Sequence, residues 1–207
     1  MSFNHKSLVK NKYQLNGNLK KKGYDWWWHS FTARDEQTNE EKPFYIEFFV
    51  INPGLAEEKP VLGQLEENQK IGKRPSYLMV NVGTWGEDHA QLHRFFSMKD
   101  VKIKKGKGFS VSAEDCYLDE RSVKAVVTVK DAEKHPEYLC DNGSMEFDLK
   151  IEKDIAFNVG YGTRALFRET KAFEMYWHAE GMKTFYEGTV IWNGRKYIVS
   201  KGTCYGY

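Results

Sequence analysis

The chain contains the run Gly23-Tyr24-Asp25-Trp26-Trp27-Trp28-His29, and its three consecutive tryptophans decide how the surrounding sequence is interpreted. In a β-strand, successive side chains point to opposite faces of the sheet. Trp26 and Trp28 then share one face, while Trp27 and His29 share the other. Both faces of this strand therefore need a large covering group. A barrel strand with a ligand or a second domain on its outer side meets that need, and so does one with an aromatic-lined interior.

Strand patterns continue along most of the chain. The clearest runs from Met145 to Ile151, where apolar and charged residues alternate at every position, as in a strand with one buried face and one solvated face. The dipeptide Asn193-Gly194 separates two further strand patterns and favours a tight hairpin turn. The predicted strands are 44–51, 77–82, 91–98, 109–113, 122–129, 145–151, 174–179, 185–192 and 196–204. Gly83 is predicted to break the strand that begins at Tyr77. A short helix is predicted at 65–69, and no helix of ten residues or more.

About ten strands at this spacing predict an all-β fold, an antiparallel lipocalin-like barrel or a strongly curled sheet that occupies residues 1–207 as a single domain. The aromatic content of 15% suits strands. The 31 basic and 29 acidic residues nearly balance, so the chain lacks the electrostatic footprint of a nucleic-acid-binding protein. The lysine groups 20–22 and 102–107 are interpreted as solvated strand ends and turns.

The three cysteines, Cys116, Cys140 and Cys204, are odd in number and widely spaced. This pattern does not favour a disulfide framework or a zinc site, and a reducing, cytoplasmic location is predicted. No stretch approaches the ~20 apolar residues that a membrane span needs. Phosphate-binding glycine loops and paired-cysteine motifs are absent, so no cofactor is predicted. His89 and His93 leave two interpretations open, a metal-ligand pair or solvated histidines at a hairpin end.

Glu47 is the candidate catalytic acid. It lies in the middle of a strand whose even positions are wholly apolar, and on the odd face it stands between Tyr45 and Phe49. A carboxyl group in apolar surroundings has its pKa raised by desolvation and can stay protonated, which is what a general acid requires. The alternative is a glutamate on a solvated face that happens to have aromatic neighbours.

Histidines beside tryptophans supply the other candidate site residues. His29 follows the tryptophan run, and His178 follows Trp177 far downstream. A histidine against an aromatic wall can position a substrate or shuttle a proton, although a core histidine bonded to the backbone is the alternative for each. His178 is the second catalytic candidate. The candidate ligand-binding residues are Trp26, Trp28, His29, Tyr176, Trp177 and Tyr205.

These segments resemble tocopherol-cyclase-like proteins and the related hydroxyneurosporene synthases, which are carotenoid hydratases. The resemblance rests on the tryptophan run followed by a strand that ends in Asn52-Pro53, on Trp177-His178, on 188–194, and on Cys204-Tyr205-Gly206-Tyr207. It implies a lipocalin-like barrel that acts on a bulky lipophilic molecule. In that family the last segment continues into a Lys-Asn-Trp-Gly motif and a second barrel, so the chain is expected to correspond to the first barrel.

Three functions remain open on this basis. One is acid-catalysed cyclisation or hydration of an isoprenoid-like or polycyclic substrate, in which aromatic faces stabilise the cation. Another is binding of a lipophilic small molecule without catalysis. The third is a docking role, in which the tryptophan face packs on a second barrel domain or on a second copy of the chain.

Overall fold

The computed structural model describes residues 13–105, 108–141, 143–158 and 178–201. The described helices are short: α1 (Glu66–Lys70) and α2 (Val129–Lys134) are α-helical, and the 3-10 helices are Gly17–Lys21, Pro53–Leu55 and Pro136–Tyr138. None of these helices is long and apolar enough to cross a membrane. The strands are β1 (Tyr24–Asp35), β2 (Glu41–Ile51), β3 (Tyr77–Thr84), β4 (Ala90–Phe96), β5 (Lys102–Lys104), β6 (Ser110–Ala113), β7 (Cys116–Asp119), β8 (Ser122–Val127), β9 (Met145–Asn158), β10 (His178–Trp192) and β11 (Arg195–Val199).

All eleven strands join one antiparallel sheet in the order β4-β3-β2-β1-β11-β10-β9-β8-β7-β6-β5. The sheet is strongly curled into a half-barrel, which confirms the predicted fold class. The rings of Phe44 in β2 and Phe147 in β9 lie 6.3 Å apart, although three strands separate β2 from β9 in the sheet. In a flat sheet these positions would be about 19 Å apart, given the usual spacing between strands.

The inside of the curl is a packed apolar core. In β1 the odd-numbered residues from Trp27 to Asp35 are buried, and in β2 the even-numbered residues from Phe44 to Val50 are buried. The apolar residues among them belong to a single cluster that continues through the inward-facing side chains of the other strands. Trp27 packs inside this core, with its ring 4.2 Å from that of Phe109. The predicted division of the tryptophan run between two faces is therefore confirmed.

Two turns follow directly from residue type. Asn193 and Gly194 both have positive φ, as the predicted two-residue hairpin turn requires, and Trp192 pairs with Arg195 across it. The prediction that Gly83 breaks a strand was wrong, because β3 continues through it to Thr84. Gly83 pairs with Tyr45 on β2, and the Tyr45 ring lies so close to the Gly83 backbone that a Cβ atom there would overlap it. The absence of a side chain at Gly83 therefore leaves the space that the Tyr45 ring occupies.

Contacts of β4 show how the curl joins distant parts of the sheet. Arg94 of β4 donates to the Val126 carbonyl oxygen of β8 over 2.9 Å, so the curl brings these distant strands together. The Asp141 amide donates to the Gln91 carbonyl oxygen, which covers part of the β4 edge.

Two short strands, β5 and β7, were not predicted, and 129 proved to be the start of α2 rather than the end of a strand.

Candidate functional site

Glu47 lies on the outer face of the sheet, in a row of residues that crosses four strands. The register pairs Trp28 with Glu47, Glu47 with Asn81, and Asn81 with His93. Neighbouring positions along β2 place Tyr45 and Phe49 on the same face as Glu47. The carboxyl group therefore stands between aromatic side chains along its own strand and has an indole beside it on β1.

The first aromatic group beside Glu47 consists of Trp28, Tyr45 and Trp85. The Trp28 and Tyr45 rings stack with centroids 4.8 Å apart and an interplanar angle of 9°. The Trp85 ring is 4.8 Å from Tyr45 and 6.3 Å from Trp28. Tyr45 is buried because it fills the space above Gly83, whereas Trp85 is 43% exposed. This group presents an apolar surface to whatever contacts the outer face.

The second aromatic group forms a stripe on the other side of Glu47. Consecutive ring centroids along it are between 4.6 and 6.4 Å apart. Its members, in order across β1 to β4 and the 3-10 helix Pro136–Tyr138, are Trp26, Tyr24, Phe49, Tyr77, Phe95 and Tyr138. The two groups together with Glu47 and Asn81 are called the outer aromatic face below.

Polar contacts at Glu47 are few. The Asn81 amide nitrogen donates to Glu47 Oε2 over 3.1 Å, and the Gln91 amide nitrogen donates to Asn81 Oδ1 over 3.3 Å. Burial raises the pKa of the Glu47 carboxyl group, and the hydrogen bond from Asn81 opposes that rise. Glu47 in turn contributes to the raised pKa values of Tyr45 and Tyr77, mainly caused by burial. The side chain is half-buried, and the direction of its pKa shift is the one predicted.

His29 lies on the opposite side of the sheet from Trp26, Trp28 and Glu47. It is buried, and its Nδ1 is 2.9 Å from the Tyr186 hydroxyl oxygen, within a hydrogen bond. Burial lowers the pKa of His29 to about 3, and the positive charge of Lys153 acts in the same direction. His29 was predicted to bind the ligand together with the two tryptophans, but the alternation of the strand puts it in the core. It is a core histidine, as in the alternative interpretation, but its hydrogen-bond partner is the Tyr186 hydroxyl group where a backbone partner was expected.

Several predicted residues lie outside the described part of the chain. Tyr176, Trp177 and Tyr205 are among them. His178 begins β10, where its backbone pairs with Asn158, but its side chain is not described. The hypothesis that the two Trp-His runs meet in one pocket therefore stays a prediction.

Two further polar side chains serve local structure. His93 is half-buried, and its Nδ1 donates to the Tyr138 carbonyl oxygen over 2.9 Å. Asp25 accepts a hydrogen bond from the Gln14 amide, and burial raises its pKa to about 6. In the described ranges, no group of three or more His, Cys, Asp or Glu residues is placed to hold a metal ion.

Asn81, Tyr77 and Trp85 were missed as members of the site. Asn81 carries a usable sequence cue, since it is the one polar residue within the apolar strand pattern 77–82. Its position opposite Glu47 depends on the pairing register of β2 with β3, which a single sequence does not give. Trp85 follows the strand end, and its ring contact with Tyr45 likewise depends on the pairing of β2 with β3.

Comparison of the chain with protein-family models, with characterised proteins and with solved structures finds no match. The geometry of the outer aromatic face therefore carries the functional argument.

Proposed function

We propose that the protein binds a lipophilic small molecule against the outer aromatic face, with the Glu47 carboxyl group as its central polar contact. The observation that carries the proposal is a half-buried carboxyl group, with its pKa raised by burial, between two groups of aromatic side chains. Ligand sites are mostly apolar, with a few polar groups that fix orientation. Asn81 holds one carboxyl oxygen and so orients the group.

The same geometry supports an acid-catalysed reaction as an extension of the binding role. A protonated Glu47 would give its proton to an alkene carbon of an isoprenoid-like or polycyclic substrate. Trp28 and the neighbouring rings would stabilise the carbocation through their π faces. Addition of water and return of a proton to the carboxylate would complete a hydration, and attack by an internal nucleophile would complete a cyclisation. His178 stays the proposed second catalytic residue.

The resemblance to tocopherol-cyclase-like proteins and carotenoid hydratases supports this choice of chemistry as a hypothesis. Within the described chain it rests on the tryptophan run, the strand ending in Asn52-Pro53, and 188–194. The cytoplasmic location inferred from the sparse cysteines stays a prediction as well.

A docking role is the second candidate, and the shape of the outer aromatic face favours it. The aromatic stripe follows the outside of the curl across four strands, so it is broader than a cleft for one small molecule. Tyr24 and Trp85 in this face are 41% and 43% exposed. Exposed apolar surface of this kind marks interfaces. The occupants proposed in this case are a second barrel domain or a second copy of the chain.

Binding is tested by titrating the protein with farnesol, an isoprenoid alkene, and following tryptophan fluorescence. We expect saturable quenching in the wild type and in Glu47→Gln, because glutamine preserves the shape of the site. Trp28→Leu should weaken binding about tenfold, since it removes the ring stacked on Tyr45. Trp192→Leu is the matched control, an indole remote from Glu47, and should bind farnesol as the wild type does.

Catalysis is tested by incubating farnesol with the protein in deuterated water and measuring deuterium incorporation by mass spectrometry. Glu47→Gln should reduce incorporation by about 10²–10⁴, the usual contribution of a proton donor. Binding without incorporation in the wild type would leave the binding function and remove the acid. Absence of farnesol binding, together with a dimer by light scattering that Trp28→Leu dissociates, would select the docking role.

A further inference from the structure

A second candidate ligand site lies at one end of the curled sheet and shares no residue with the outer aromatic face. The β1–β2 turn, the β3–β4 turn and the β10–β11 turn meet there around a cavity of about 660 Å³. This volume falls within the range of small-molecule sites. The lining residues on which the argument depends are Asp35, Glu40, Lys42, Asp88, Trp192 and Tyr197.

Two aromatic rings form one wall of this cavity, and a basic side chain of the protein lies over each ring. The Trp192 and Tyr197 rings have centroids 6.4 Å apart. The Lys42 ammonium nitrogen lies 4.5 Å from the centroid of the Trp192 ring. The Arg195 guanidinium carbon lies 5.9 Å from the centroid of the Tyr197 ring. The wall therefore already holds cations in cation–π geometry.

The cavity also carries more negative than positive charge. Four carboxylates and two basic side chains line it, which leaves an excess of two negative charges. Asp35 is compensated, because it pairs with Arg195 and accepts hydrogen bonds from two turn amides. Within the ranges that the structure describes, Glu40 and Asp88 have no basic nitrogen within ion-pair distance. Glu40 accepts a hydrogen bond from the Thr38 hydroxyl group over 3.1 Å, but in the described part of the chain neither carboxylate is held in an ion pair.

The indole nitrogen of Trp192 is an independent indication of a missing partner. Its Nε1 is buried and has no hydrogen-bond acceptor among the described residues. Buried donors in native proteins almost always have a partner, which can be a water molecule or a ligand. The side chain under the Lys42 ammonium group thus also has an unmet donor.

We propose that this cavity binds a small organic cation, whose ammonium group takes the place of Lys42 on the Trp192 ring and is neutralised by Glu40 and Asp88. Lys42 then acts as an intramolecular stand-in that leaves when the ligand enters. The proposal is independent of the function of the outer aromatic face, because none of the cavity-lining residues belongs to that face.

Choline chloride is the test ligand, and its neutral isostere 3,3-dimethylbutan-1-ol is the matched control compound. The readout is the Trp192 indole N–H resonance in a nitrogen–proton NMR spectrum, assigned by its loss in Trp192→Phe. At constant ionic strength we expect choline to shift this resonance saturably, with a Kd on the order of millimolar. The isostere should bind at least about fivefold more weakly, because it lacks the charge.

Two substitutions separate this proposal from a purely structural role of the charges. Lys42→Met should tighten choline binding about three- to tenfold, because it vacates the ring and makes the cavity more negative. Lys102→Met makes the same charge change on an exposed position of β5 and should leave choline binding unchanged. Asp88→Asn should weaken binding about two- to threefold. Asp88 is exposed, so the variant is expected to fold.

Three results would overturn the proposal. One is an equal response to choline and to its isostere, which would indicate apolar contact alone. Another is the absence of any shift of the Trp192 resonance up to roughly a hundredfold excess over the expected millimolar Kd. The third is an unchanged choline affinity in Lys42→Met. None of these results would alter the farnesol titration, so the two proposals fail separately.

Discussion

The two faces of the β1–β2 pair treat a titratable side chain in opposite ways. His29 points inward and Glu47 points outward, although the register makes them close neighbours in the two strands. Burial shifts the pKa of each group towards its neutral form, downwards for His29 and upwards for Glu47. The inner group has a full protein environment, with the Tyr186 hydroxyl at 2.9 Å. The outer group is half-buried among aromatic rings.

This difference separates two kinds of burial. A buried polar group that the fold itself satisfies contributes to a unique core. A desolvated carboxyl group on the outside of a sheet has no such role, because the core is complete without it. The contact proposed above for the outer aromatic face would offset the cost of keeping Glu47 away from water. Three predictions test whether the two faces differ as this comparison requires.

The largest effect is expected from a pair of adjacent phenylalanines. Phe48 is fully buried on the inner face, and Phe49 is half-buried on the outer face. Phe48→Ala should lower the free energy of unfolding by about 3–5 kcal/mol, because it leaves a cavity in a packed core. Phe49→Ala should cost about 1–2 kcal/mol, since water can fill the space. Urea denaturation measures both, and equal losses would show that the outer face is part of the core.

A pH effect of intermediate size is expected from His29. Its pKa is about 3 in the folded protein and near 6.5 when unfolded, so below pH 6.5 the unfolded state binds the extra proton. Stability is therefore unaffected above that pH and falls as pH drops from 6.5 towards 3. Between pH 6.5 and about pH 4.5 the loss should be about 2 kcal/mol.

Variants identify the source of that slope in urea unfolding measured at each pH. His29→Gln should remove about 2 kcal/mol of the acid-side loss, whatever its effect on stability at neutral pH. His89→Gln changes an exposed histidine and should retain the full slope. A slope that survives in His29→Gln would mean that another group causes it.

The smallest effect is expected at Glu47, with the opposite pH dependence. The pKa of Glu47 is raised in the folded protein, so the folded state holds the proton more tightly than the unfolded state. The protein therefore loses stability as pH rises through the titration range of this group. Glu47→Gln should therefore raise the free energy of unfolding at pH 7 by less than about 1 kcal/mol. In acid the variant and the wild type should be equally stable. Asn81 can still donate to the glutamine oxygen. A clear loss of stability at pH 7 would contradict the raised pKa.

The fold was largely predictable because its information is local. Alternation identifies strands such as β9, and the turn chemistry of Asn193-Gly194 identifies the β10–β11 hairpin without knowledge of the rest of the chain. Short strands failed this test: β7 has only four residues between two turns, too few for a periodic pattern. Gly83 was misjudged for a related reason, since its function depends on a ring from another strand.

The candidate site was only partly predictable. Strand alternation alone places Trp26 and Trp28 together and separates them from His29. Recognising that Glu47 lies beside Trp28 requires the β1–β2 register, in which a shift of one residue would move the carboxyl group into the core. The cavity at the end of the curled sheet was not predictable, because it is formed by three turns distant in sequence.

The space that Gly83 leaves for the Tyr45 ring has an evolutionary consequence. A methyl group at position 83 would displace the ring, and the loss of the ring would leave a gap above the glycine and unstack Trp28. Each single change is harmful, whereas a joint exchange that places a small residue at 45 and a larger one at 83 keeps the surface filled. Relatives of this chain should therefore vary at these two positions together, and such a coupled exchange would mark lineages that have given up the aromatic surface around Glu47.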